Sequence, residues 1–429
     1  ATAELAAVAG DIFASTANLV ADKARTALNQ RFLDHENRRL FFAVMKDGKG
    51  QAEQTVWPAF GLWRGVFDTP NAAVDGMLDE LAGAGVGADW GARMLSMDST
   101  LYEPLSYNNG ASWPFLTGFA ALALYSNGRP DAAWQYLDGM ADLTFLESRG
   151  YMAELFSGDR LRSIDAAVPH QLFATTGFVS TLLRGLVGIR TAAAEVRGNT
   201  KLPERLVLDP QLPAGWGWLR IRNLRWRGIT ADVAITREEN GYQVAVAPRG
   251  GTLPLEMHAR FAPGSVLRTG RGPWPATTAG WNRDVWQAMR VEVDKPQREV
   301  HVSRFDRIAA PFTATLGVTP GVEIIPMHKP LALGDPSSRL RIIDTWMLGP
   351  RFHMKIEGLR GVEYQVRIRL PGVVSGIERG LRVLGDGRVT AGPGDSIRIY
   401  FPRAPQTARG GVTRRSDWTT QVISISLPW

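Results

Sequence analysis

The spacing of the apolar residues changes once along this chain, and that change limits what each part can fold into. From the N-terminus to about residue 195 they recur at three and four, as helices with one buried face require. The segments are Ala7–Leu28, Val56–Phe67, Ala72–Leu81, Trp113–Tyr125, Ala132–Leu146 and Gln171–Ile189, separated by Gly, Pro, Asn and Asp. Thr69-Pro70-Asn71, Ser112-Trp113-Pro114 and Arg129-Pro130-Asp131 mark three of the starts, with Pro where a first helical turn tolerates its missing N–H. Six helices are expected.

From about Leu206 the pattern becomes apolar–polar alternation between Gly-rich turns, seen at Ile221, Ala231–Ile235 and Tyr242–Val246. A further break falls near 290–310, where two alternating runs give way to Pro311 and Pro320. Leu340–Ile343, Phe352–Ile356, Tyr364–Leu370, Ser396–Phe401 and Val422–Leu427 then read as short strands. Helices first and sheets afterwards favour separate layers over an interleaved parallel sheet. The expected organisation is a helical domain over 1–198, an antiparallel β-sandwich over 199–294 and a second over 295–429.

Composition narrows the function. With 45% apolar residues and 21% charged in 429, the chain is neither disordered nor collagenous, and no run is long enough to span a bilayer. Zero Cys excludes a disulfide framework, a thiolate nucleophile and a sulfur-based zinc site. The six His, at 35, 170, 258, 301, 328 and 353, show no ligand spacing, and no phosphate loop follows a strand. No metal and no cofactor are expected. The net charge of +7 is spread along the chain without a basic stripe, so nucleic acid is not an expected partner. The compartment stays open. Ala1 and the residues after it read as a terminus left by signal-peptide cleavage or internal processing, which favours a periplasmic or secreted setting over the cytoplasm.

Chemistry concentrates in loops between the helices: 89–96, 102–114 and 151–158. Trp, Tyr, Asn, Arg and carboxylate together suit a sugar, because aromatic faces stack on its C–H side while the polar groups bond its hydroxyls. The bland alternative is that these loops cap helices and pack on one another.

Four segments, Gly91-Ala92-Arg93-Met94-Leu95-Ser96, Ser106-Tyr107-Asn108-Asn109-Gly110-Ala111-Ser112-Trp113-Pro114, Ala153-Glu154-Leu155-Phe156-Ser157-Gly158 and Pro169-His170-Gln171, occur in this order. Together they resemble the C-terminal amylo-α-1,6-glucosidase region of glycogen-debranching enzymes and related six-hairpin glycosidases. Asn108 stands where that family usually has His, and Ala153 where it often has Pro. The resemblance covers residues 1 to about 195 and implies an α/α toroid with inverting hydrolysis of a glycosidic bond. It makes the carboxylate matching Glu154 the general base. Trp90, Arg93, Tyr107, Asn108, Trp113 and Gln171 are the expected sugar contacts, whereas His170 matches a variable position and reads as structural.

A complete toroid needs roughly 350–400 residues at the usual length per helix and loop. The expectation is therefore half a toroid, six helices, with the general acid supplied by an upstream segment or a partner chain that also covers the open apolar face. Asp34, Glu36 and Asp47 lie in segments matching later hairpins and are not assigned as the acid. Leu206–Trp216 and Leu219–Gly228 resemble, more weakly, the segment by which such glycosidases and phosphorylases enter a β-sandwich. The rival readings are a phosphorylase on the same scaffold, a non-catalytic carbohydrate-binding or assembly subunit, and a protein-binding module.

Overall fold

The computed structural model describes residues 13–146, 149–197, 200–238, 241–267, 286–295, 298–369, 381–384, 387–393, 395–402 and 415–426. The helices are α1 (Phe13–Arg31), α2 (Ala59–Trp63), α3 (Ala72–Ala82), α4 (Pro114–Ser126), α5 (Pro130–Leu143) and α6 (Leu172–Ser180), the last running on as a π-helical turn over Thr181–Leu186. The expected start of the first helix at Ala7 lies outside the described residues. The second is shorter than its apolar pattern predicts, because it opens at Pro58 and Gly65 takes a positive φ of 61° just beyond its end.

α4 is the hub, buried on nearly all sides, with α2, α5 and α6 packed around it. A Cβ on Gly118 would lie 2.7 Å from the carbonyl oxygen of Gly177, so α4 and α6 approach this closely only because both positions are glycine. α3 buries Val74, Met77, Leu78 and Leu81 at helical spacing, and Asn71 caps its first turn by accepting from Ala73 N at 2.9 Å. α1 differs from the rest. None of its residues is buried, and Phe13, Leu19 and Val20 are 51%, 63% and 62% exposed.

Beyond the helices, β1 (Arg190–Ala192), β2 (Arg205–Leu208), β3 (Trp218–Trp226), β4 (Ile229–Glu238), β5 (Gly241–Arg249), β6 (Leu253–Arg260), β7 (Val266–Leu267), β8 (Trp286–Lys295), β9 (Arg298–Ile308) and β10 (Phe312–Thr319) form two five-stranded sheets. Their orders are β8-β9-β6-β2-β1 and β3-β4-β5-β10-β7. Pairing is antiparallel except between β2 and β6, which run parallel with Leu206 opposite Leu255. That corrects the purely antiparallel expectation. The chain builds β3 to β5 in the other sheet before returning as β6, and such a crossover permits a parallel neighbour.

The strands beyond Thr319 are β11 (Glu323–Pro326), β12 (Arg341–Leu348), β13 (Arg351–Leu359), β14 (Glu363–Arg369), β15 (Leu381–Leu384), β16 (Arg388–Ala391), β17 (Ser396–Tyr400) and β18 (Trp418–Ser426). They form the sheets β11-β14-β17-β16 and β12-β13-β18-β15, which share one core built on Ile324, Phe352, Met354, Val366 and Ile423. The division expected at residue 295 falls instead after Thr319, since β9 and β10 pair into the earlier sheets. Pro311 marks only the corner where the chain passes from one of those sheets to the other.

The last two sheets dock on the helices through buried polar groups. Asp89 accepts from Ser337 Oγ (2.9 Å), Ser338 N (2.7 Å) and Arg339 N (3.0 Å). Arg341, fully buried, donates to the carbonyls of Ala82 (2.9 Å) and Ala88 (3.2 Å), with its guanidinium 4.9 Å from the Tyr136 ring centre. These contacts hold the 84–98 loop from outside.

Candidate active site

The site is built where α4 and α6 begin. Trp113 precedes α4 in extended conformation with Pro114 as its first helical residue, and Gln171, also extended, precedes α6, which opens on Leu172. An extended segment, 152–158, is stitched between these two entries. Ser112 and Phe156 exchange N–H to carbonyl bonds of 2.8 and 2.9 Å, Gln171 N donates to Met152 O at 3.0 Å, and Glu154 N to Val168 O at 2.8 Å.

Glu154 is 6% exposed, more enclosed than a loop glutamate reaching bulk water. Tyr107 Oη donates to its Oε1 at 2.6 Å and Val168 N to its Oε2 at 3.2 Å. Each oxygen thus has a donor, one from each flanking loop, which is the pattern a carboxylate accepts. The Tyr107 phenol is held above its ordinary pKa, first by this hydrogen bond, then by burial and the nearby carboxylate charge. Its ring stands edge-on to Trp113, with centroids 4.8 Å apart at 88°, and Trp113 Nε1 donates to the Tyr107 carbonyl at 3.1 Å.

The structure brings Glu154, Tyr107 and Trp113 together, with Asn108 exposed in the same loop and Gln171 half-buried at the entry of α6. It places Trp90 and Arg93 elsewhere, beneath the loops. Trp90 is fully buried, its Nε1 donating to Ser157 O at 2.9 Å. Arg93, 1% exposed, donates to the carbonyls of Gly158 (2.6 Å), Ala84 (2.8 Å) and Gly87 (2.7 Å). Both spend their donors on backbone that would otherwise be buried unpaired. His170 is exposed, its ring 4.7 Å from that of Tyr151.

The Val168 amide was not foreseen, since a backbone donor leaves no signal in residue type. Asp159, buried beside the same loop, bonds Ser157 Oγ at 2.5 Å and lies 3.8 Å from Arg160. Asp34, among the carboxylates set aside above, is tied to Asn37 and Arg39. Among the described residues no group of three His, Asp or Glu side chains could hold a metal ion. No described helix is long and apolar enough to cross a membrane.

Residues 1–160 match the family described as the mannosylglycerate hydrolase MGH1-like glycoside hydrolase domain. Residues 202–260 match the C-terminal domain of glycosyl hydrolase family 65. No curated protein matches this chain significantly. Among solved structures, a sialidase aligns at 15% identity with a TM-score of 0.47, over 57% of this chain and 24% of its own. This chain therefore spans about a quarter of the length of that neighbour.

Proposed function

From a chain that fits the six-hairpin glycosidase family in its loop motifs and both domain matches, we infer a glycoside hydrolase that cleaves by inversion with Glu154 as general base. The observation that carries this reading is the Glu154 carboxylate, held by Tyr107 and the Val168 amide among aromatic loops at two helix entries. An inverting base must keep one fixed orientation toward a water on the far side of the sugar ring, and two donors from opposite loops supply it. Trp113, Asn108 and Gln171 contact the sugar. Tyr107 positions the base, and Trp90 and Arg93 hold the loops in shape.

The acid partner in such a pair sits roughly 6.5–9.5 Å from the base. We assign it to an upstream segment or a partner chain that completes the ring of helices. Support comes from α1, whose Phe13, Leu19 and Val20 are open to water in a way one packed core rarely allows. Size-exclusion and native mass analysis should find that material associated with the chain; a well-behaved monomer with full activity would sink this part.

The test of the reaction is a screen of α- and β-linked oligosaccharides with proton NMR of the released anomer. The anomer should be opposite to the substrate's. Glu154→Gln should lower kcat by roughly 10²–10⁴-fold with the melting curve unchanged, and full activity in that variant would remove Glu154 from the mechanism. Cleavage that requires phosphate would indicate a phosphorylase instead, and glycan binding without turnover a non-catalytic subunit.

A further inference from the structure

At the far end of α4 from Glu154, about 20 Å away by the rise of its 13 residues, a groove opens between the helices and the first pair of sheets. It has a volume of about 530 Å³, within the roughly 300–1,000 Å³ of small-molecule sites. Trp63 and Arg64 at the end of α2, Arg184 in the π-helical turn, Arg190 of β1 and Arg260 of β6 line it. Its one lining carboxylate is Asp209, which Arg260 takes with two bonds of 2.7 and 2.9 Å. That pair cancels.

The other three arginines are not matched by acid. Arg64 lies over the Trp63 ring, 5.3 Å from its centroid, Arg190 reaches His258 Nε2 at 3.5 Å, and Arg184 is exposed. Among the described residues none of the three forms an ion pair with a carboxylate. The plain alternative is that they offset the helix C-termini ending here. Each such end carries about half a negative charge at most, and three of them fall short of three guanidinium groups. Beneath them lies Gln211, 7% exposed, with its Oε1 unpartnered and its Nε2 donating to the Tyr125 carbonyl at 3.2 Å. The groove therefore has a positive rim and a polar floor.

We propose that this groove binds a small organic oxyanion, a phosphate ester or carboxylate carried on a sugar-sized body. The guanidinium groups take the anion in forked hydrogen bonds, and the volume of the groove leaves room for the attached body. The site is separate from Glu154 and does not depend on the glycosidase reading.

Isothermal titration of the full chain with inorganic phosphate, glucuronate and glucose, at low and high salt, tests it. Both anions should bind saturably and more weakly at high salt, and glucose should not bind there. Tighter binding of phosphate would identify a phosphate ester as the source, and tighter binding of glucuronate a sugar acid. The variant carrying Arg184→Gln and Arg190→Gln, both exposed positions, should keep its melting curve and lose at least tenfold in anion affinity. No saturable binding by either anion, or unchanged affinity in the variant, would overturn the proposal.

Discussion

Tyr107 and Glu154, 47 residues apart in sequence, meet with the phenol donating to Oε1 over 2.6 Å. Trp113 fixes Tyr107 in turn, through an edge-on ring contact at 4.8 Å and a bond to its carbonyl. The carboxylate is therefore set by a chain of contacts that begins at the residue before α4, the most enclosed of the described helices. Burial alone would leave its oxygens free to rotate; the Val168 amide on the second oxygen removes that freedom.

Tyr107→Phe keeps the ring against Trp113 and removes only the hydroxyl. A hydrogen bond to a charged group is worth about 1.5–3 kcal/mol, so kcat should fall roughly ten- to a hundredfold with KM little changed. Steady-state kinetics on whichever oligosaccharide is cleaved gives the answer. A raised KM at constant kcat would mean that Tyr107 binds sugar and does not hold the base.

Asp89→Ala should loosen the last two sheets from the helices. It leaves the buried Ser337 Oγ and the part-buried amides of Ser338 and Arg339 without their acceptor. The cost should be on the order of 3 kcal/mol, since charge-assisted bonds are lost and donors stay buried. Urea unfolding followed by intrinsic fluorescence should show a lower midpoint or two separate transitions. An unshifted single transition would show that the docking does not depend on Asp89.

The Glu80 carboxyl is pushed up to about 7 by burial, which outweighs the opposing Arg39 charge and the bond from Gln54 Nε2. Its folded pKa exceeds its ordinary 4.5, so folding favours the protonated form. The stability it contributes is present below that value and is lost as pH rises toward 7. Glu80→Gln should remove this dependence and be the more stable protein near pH 8 by on the order of 2 kcal/mol. Equal urea midpoints for the two proteins near pH 5 and pH 8 would contradict it.

The helix starts were legible because Pro and Asn act locally: Trp113-Pro114 and Asn71 begin α4 and α3 where the sequence places them. Alternation found the strands for the same reason, but not their partners. Pro311 looks in sequence like Pro320, and only the pairing of β10 with β5 shows that the first turns a corner while the second ends the unit. The site was half legible. Glu154, Tyr107 and Trp113 converge, but Trp90 and Arg93 are residue types that suit a sugar and suit a buried carbonyl equally well. Which of the two they meet depends in part on packing from 65 and more residues away, at Ser157 and Gly158, and no local pattern encodes that.

His258 of β6 lies between two carboxylates, with Nε2 2.7 Å from Glu256 and Nδ1 3.6 Å from Asp209. Burial works to lower its pKa, yet hydrogen bonds to Asp209 and Glu256 outweigh burial and the neighbouring Arg190, and the ring is held above its ordinary 6.5. Its protonated form is therefore bound more tightly in the folded protein than in the unfolded one. That stabilisation is complete below the ordinary value of 6.5 and is lost as pH rises through the raised one. His258→Gln lacks the charge at every pH, so the stability gap between the native protein and the variant should be widest in mild acid and narrow steadily above neutrality. Urea midpoints measured at intervals from pH 6 to pH 9 test this. A gap constant across that range would mean that the ring is neutral throughout and serves only as packing between the two acids.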